Sequence, residues 1–228
     1  MEEKYKTSRQ LQAEAMKEKL QDIVQDMCRT KTLDEIRIKD IAAAANISMG
    51  NFYQYFDSKE AALIYSYKVK DGKWETLHFE EIKDPLERVE RIVATHLYAM
   101  IENSLCFDTQ LYIAQLKEYD GYFFTDDRYL TRIMQETIET GQNEGSFKKD
   151  WTPMEIGIRI LNFSRGLVYN YCIMHREDPD NWILYALKCQ EEYMSLFVTD
   201  PSRIDLKKHY DAARSKGTGK GEESKGQK

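Results

Sequence analysis

Four prolines, Pro85, Pro153, Pro179 and Pro201, are all that the chain places in the way of continuous helix over 228 residues. A proline lacks the amide donor and clashes with the preceding turn, so their scarcity leaves long stretches in which helices can run. The apolar residues in those stretches recur every three or four positions, the period of an amphipathic helix. Met16, Leu20, Ile23, Val24 and Met27 predict a first helix of about twenty residues, and the RTKTLDE segment breaks it. Ile38, Ile41, Ala42 and Ala45 then repeat the stripe over only eight residues before Asn46, which tolerates the left-handed conformation that ends a helix. The fold class expected is all-α.

Ser48 is a good N-cap for a further short helix from Met49 to Phe56. Ser58 caps one beginning at Lys59, with Glu60 near its positive end. Two short helices joined by a three-residue turn make a helix-turn-helix. In the second helix Phe52 and Phe56, four apart, face Ile38, Ile41 and Ala45, which leaves Met49, Gly50, Asn51, Tyr53, Gln54 and Tyr55 for other uses. Gly50 lets another backbone approach closely, and a DNA phosphate is one such neighbour. Asn and Gln side chains match adenine edges, Tyr hydroxyls donate to phosphates, and free amides at a helix start favour an anion. Arg37, Lys39 and Lys59 flank the unit and supply cations for the DNA backbone. The competing reading is a plain helical corner whose tyrosines only pack.

The stretch IRIKDIAAAANISMGNFYQYFDSKEAAL resembles the N-terminal signature of the tetracycline-repressor-like (TetR) family. Ile41-Ala42, the Ala45-Asn46-Ile47-Ser48 turn, Gly50, Phe52-Tyr53, Phe56, Ser58-Lys59-Glu60-Ala61 and Leu63 fall in the family's order. The resemblance implies a three-helix helix-turn-helix DNA-binding domain, followed by a helical ligand-binding and dimerisation domain. It also implies that Ser48, Gly50, Tyr53 and Lys59 touch phosphates, while Met49, Asn51 and Gln54 face bases. Two departures bear on the operator sequence. Arg37 stands where many members cap the second helix with Ser or Thr, and Gln54 and Tyr55 replace the usual aromatic or His pair. The domains expected are 1–58 for DNA, 59–213 for ligand and dimerisation, and a disordered tail over 214–228.

Beyond Leu63 the pattern is architectural. A long helix is expected from Lys59 past Trp74, another after Pro85, and others over Asp108–Lys117 and Asp127–Glu144. TGQNEGSF resembles the helix end found before the family's dimerisation helices, and is locally a glycine stop. Two apolar-striped helices follow, and their residues Ile156, Ile160, Leu167, Ile183, Leu187 and Met194 are the expected dimer interface; internal core is the alternative. Trp74, His78, His96, Met100, Tyr112, Gln115, Phe163 and Tyr169 are the expected ligand contacts, in an aromatic pocket suited to a flat or cationic hydrophobic compound. An aromatic stripe that is simply core is again the alternative.

A net charge of −6 is unusual for a DNA-binding chain, yet its distribution matters more. Residues 1–75 hold 13 Lys/Arg and 13 Asp/Glu, residues 76–213 hold 15 and 24, and residues 214–228 hold 5 and 2. Any DNA contact must therefore come from a local arrangement of cations. Cys28, Cys106, Cys172 and Cys189 are dispersed without a C-x-x-C, so free thiols are expected and no metal site or cofactor. Cys172 and His175 alone are too few ligands for one. No leader and no apolar run of membrane-spanning length is present, which predicts a cytoplasmic protein with no membrane partner. Hydrolase, metalloprotease and Rossmann motifs are missing, and GTGKGEESKGQK lacks the spacing of a phosphate loop. The function expected is a homodimeric repressor bound to a palindromic double-stranded operator and released by a small hydrophobic or aromatic effector. A ligand-independent architectural or division-linked DNA-binding factor is the alternative, and a helical-bundle enzyme the more distant one.

Overall fold

The structure is a computed structural model that describes residues 7–102, 104–118, 121, 125, 128–174 and 178–218. Among the described residues there is no β-strand; the ten α-helices are joined by turns and short 3-10 segments, and one antiparallel bridge ties Phe147 to Val198. The chain forms two compact units, Met1–Gly72 with Ser104–Gly121 and Lys73–Asn103 with Tyr122–Lys228.

The first unit holds α1 (Ser8–Met27), α2 (Ile38–Ala45), α3 (Met49–Tyr53), α4 (Lys59–Gly72) and α6 (Leu105–Glu118). Thr7 and Gln10 close a reciprocal capping box at the start of α1, and Leu20, Val24 and Cys28 bury its inner stripe. Asn46 ends α2 at φ 60° and ψ 46°, where its short polar side chain makes the left-handed conformation tolerable. Ser48 Oγ then accepts the amide of Asn51, and Ser58 Oγ accepts that of Ala61 at 2.8 Å. Compactness extends this unit beyond residue 58, because α4 packs on both α1 and α6. The helix expected to pass Trp74 stops at Gly72, and residues Lys73–Leu77 tighten into a 3-10 turn. Glycine is a poor helix former, and Trp74 is drawn into the core of the other unit.

The second unit holds α5 (Pro85–Ile101), α7 (Tyr129–Glu144), α8 (Pro153–Met174), α9 (Pro179–Met194) and α10 (Leu206–Thr218). Pro85 and Pro179 occupy the first turns of α5 and α9, where a missing amide costs nothing, and Asp84 and Asp178 cap the two helices. Gly145 ends α7 at φ 86°. Gly141 is required for closeness: a Cβ there would lie 2.5 Å from the Phe147 ring. Glu90, buried on α5, accepts the Asp205 amide at 2.5 Å, and Glu191 accepts that of Leu206 at 2.9 Å, so α10 starts on carboxylates from two other helices. This last helix runs to Thr218, five residues into the segment expected to be a tail; residues 219–228 lie outside the described residues.

The six residues expected at a dimer interface are corrected by their burial. Ile156, Ile160 and Met194 are 0 % exposed, and Leu167, Ile183 and Leu187 are no more than 9 % exposed, all within a single chain. They are the core of the second unit. An apolar stripe requires a cover but does not say which element provides it, and here α8 packs on both α7 and α9. The large apolar side chains these helices leave outward are Ile158, Tyr169, Ile173 and Met174 on α8 with Leu184 and Tyr185 on α9.

Candidate nucleic-acid interface

One residue orients the whole recognition element. Phe52 is completely buried, and its ring meets Phe56 at 6.1 Å and Tyr53 edge-on at 5.7 Å, which pins a helix of only five residues. The helix is shorter than the expected Met49–Phe56, since Gln54 already caps its C-terminal end. Pinned in this way, α3 turns Met49, Gly50, Asn51, Tyr53 and Gln54 to the exterior, with Met49 53 % and Tyr53 54 % exposed. Ser48, Arg37 and Lys39 are exposed as well, so eight of the nine DNA-contact residues expected from the sequence share the outer surface of this unit.

The ninth is held differently. The Lys59 ammonium donates to the carbonyl oxygens of Leu33 and Ile36, the latter at 2.9 Å, and the side chain is partly buried. Two of its three N–H donors are thereby used to hold the connection between α1 and α2, leaving one for a phosphate. Arg37, Lys39, Met49, Tyr53, Ser58 and Lys59 line one groove of about 550 Å³, shared with the acids Asp34, Asp57 and Glu60. Arg37 occupies the N-cap position of α2 and makes no side-chain cap, which leaves its guanidinium available to the groove. Lys117 of α6 pairs with Asp34 at 3.2 Å and Glu60 at 3.4 Å. The hydrogen bonds to Asp34 and then Glu60 hold the Lys117 ammonium above its ordinary range. Shared between two carboxylates, the single ammonium offsets one of the groove's three negative charges.

Helix α6 contributes a residue that sequence reasoning missed. Gln110 is buried, and its Oε1 accepts the amide of Leu33 at 2.8 Å. Ser58 Oγ donates to Glu118 of the same helix at 2.7 Å. The signal was present: Phe107, Leu111 and Ala114 form a buried helical stripe that also takes in the polar Asp108 and Gln110, and a buried carboxamide must find a partner.

The expected ligand contacts are divided between the two units. Trp74 and His96 do meet, with ring centres 6.1 Å apart, and Trp74 stacks on Phe79 at 6.0 Å. His78 is exposed beside Glu80, Tyr169 is 50 % exposed, and Phe163 stacks on Tyr193 at 4.3 Å. Tyr112 and Gln115 lie on α6 in the first unit, and the side chain of Met100 lies outside the described residues, as do Tyr119, Phe123 and His175. His96 is 1 % exposed, and neither ring nitrogen has a hydrogen-bond partner. Burial first, then the charges of Arg165 and Arg128, push it down to about 3, so the ring is neutral at physiological pH. Among the described residues no cluster of metal-binding side chains occurs, and all four cysteines are free thiols.

The family model described as bacterial regulatory proteins, tetR family, matches residues 30–64, which span the α1–α2 connection, α2, α3 and the first turns of α4. That segment is similar to the N-terminal region of TetR-family regulators. No curated protein matches it. Solved structures share the fold at low identity. A TetR-family transcriptional regulator from Rhodococcus sp. is 14 % identical, with 79 % of this chain and 99 % of that one covered at a TM-score of 0.60. A TetR transcription regulator from Haloarcula marismortui is 17 % identical, with 82 % and 100 % covered at 0.59. FadR of Thermus thermophilus, a TetR-family repressor in complex with lauroyl-CoA, is 16 % identical, with 76 % and 92 % covered at 0.58.

Proposed function

We propose that this chain is a TetR-family regulator: a cytoplasmic, homodimeric repressor that grips a pseudo-palindromic operator through α3 and lets go when a small hydrophobic molecule binds its second unit. The outward face of α3, pinned by Phe52 and bordered by Arg37, Lys39 and Tyr53 in one groove, carries the reading. A five-residue helix reads a short run of bases, so two copies must act together, with centres about 34–36 Å apart on successive major grooves. The exposed apolar side chains of α8 and α9, Tyr169, Ile173, Leu184 and Tyr185 among them, are the surface offered to the second copy. No helix among the described residues is long and apolar enough to cross a membrane.

Release requires only that the effector bind the DNA-incompetent conformation better than the competent one. Trp74, Phe79 and His96 are the aromatic contacts that support a hydrophobic effector, and a neutral, unpartnered imidazole adds one donor and one acceptor to it. The lauroyl-CoA of the Thermus FadR is a precedent for an effector with a long apolar part.

Selection of fragmented genomic DNA on the purified chain tests the proposal. A few strong palindromic sites between divergent genes, weakened by a hydrophobic compound, are expected. Many scattered sites without response to any small molecule would favour the architectural alternative, and no enrichment at low salt would remove the DNA-binding role.

A further inference from the structure

We infer that the base pairs read by α3 are A·T pairs, with Asn51 and Gln54 taking adenine edges and Met49 resting on a thymine methyl. The inference rests on the DNA-binding reading above and supplies the sequence class that reading leaves open.

The rotation of α3 decides which side chains can reach a base. Successive residues of a helix are about 100° apart, so with Phe52 fully buried the positions opposite it are Gly50 and Gln54, flanked by Asn51 and Tyr53. A Cβ at Gly50 would meet only Ser48 Oγ, at 3.8 Å, so the first turn is low and open. Gln54, one turn further on, extends beside that open turn, and Met49 stands at its edge.

The chemistry of these three side chains is selective. Guanine shows two acceptors in the major groove and is read by the paired donors of Arg or by Lys; α3 contains neither. Cytosine shows a donor and calls for a carboxylate, and α3 contains none. Adenine shows an acceptor beside a donor, which a carboxamide matches with one donor and one acceptor of its own. The thymine methyl is the apolar feature a methionine can cover. Two cations that share a groove with Met49 and Tyr53, Arg37 and Lys39, line it from the α2 side, where they serve the sugar-phosphate backbone. Lys59, with two donors already bound to Leu33 and Ile36, is tethered and does not reach for a base. Discrimination must therefore come from the carboxamides and the thioether.

Selection of the full chain on a duplex library randomised across both half-sites is the test. The expected consensus has A·T pairs at the strongest positions of each half-site. Gln54→Arg should convert one of those positions to G·C. Asn51→Ala or Gln54→Ala should weaken the selected site by about 5- to 150-fold and leave binding to unrelated duplex unchanged. Both side chains are exposed, so the variants keep the wild-type helical content and thermal midpoint, which is checked first. Guanine or cytosine at the strongest wild-type positions, or an equal loss on all duplexes for both alanine variants, would overturn the assignment while leaving DNA binding intact. A library that yields no consensus even at low salt would instead refute the DNA-binding reading beneath it.

Discussion

Helices α3 and α8 put their chemistry on opposite sides. In α3 one buried ring, Phe52, holds five residues in place, and the rest of the helix faces outward. In α8 nine of 22 residues are buried, including Ser164, which donates to Gln190 of α9 at 3.0 Å, so the long helix is chiefly a structural member of its unit. The short helix can afford little of its surface for packing and so advertises its function. Burial in the long one hides residues that a stripe alone would assign to an interface. Function is legible where anchoring is cheap in residues, and obscured where it is not.

The contrast is sharpest between two substitutions on α8. Ile160→Ala should cost about 2–5 kcal/mol in denaturant unfolding, as expected for a cavity at a fully buried position. Tyr169→Ala, at a side chain 50 % exposed, should weaken dimerisation in sedimentation while barely altering the concentration-independent part of the unfolding free energy. Reversal of the two results would return Ile160 to the interface.

Lys59 breaks the simple division in the other region. It lies among the residues expected to face DNA yet is engaged as a structural clasp, so Lys59→Met should lose about 1–3 kcal/mol of stability as the Ile36 carbonyl loses the ammonium and the Leu33 carbonyl keeps only the Ile36 amide. Lys39→Ala should leave stability alone and lower the slope of log affinity against log salt by about one unit. A Lys59→Met chain as stable as wild type with the slope reduced would make the lysine an ordinary phosphate contact.

His96 places a pH-sensitive group in the second unit. Its folded-state value near 3 lies below the unfolded value of about 6.5, so the unfolded chain binds the extra proton between them. Stability should therefore rise with pH through that window, by about 2 kcal/mol from pH 5 to pH 7, and His96→Phe should flatten the difference. An unchanged profile in the variant would show that the proton is taken up elsewhere. The smallest effect is expected at the turn of the helix-turn-helix. Asn46 is left-handed, so Asn46→Ala should cost about 1 kcal/mol and Asn46→Gly almost nothing, read from thermal midpoints.

Much of the first unit was legible because its signals are local. The Asn46 stop, the Ser48 and Ser58 caps and the Phe52/Phe56 pair each act within four residues, and the structure contains all of them. Gln110 was not legible as a partner of the α1–α2 connection, because 77 positions separate it from Leu33. The neighbours of the aromatic residues were not legible for a related reason: helical period assigns a face to Phe163 or Tyr169, while the neighbour of that face is set by packing between distant segments.

By itself, then, the order of the amino acids determined the helices, their caps and the exposed chemistry of α3, since propensity, capping and turn conformation are contests among residues a few positions apart. Only the tertiary structure decided that Lys59 turns inward, that Ile156 and Ile160 belong to a core, and that α6 joins the unit containing the helix-turn-helix. Each depends on which surfaces cover one another, and hydrophobic burial has no direction along the chain.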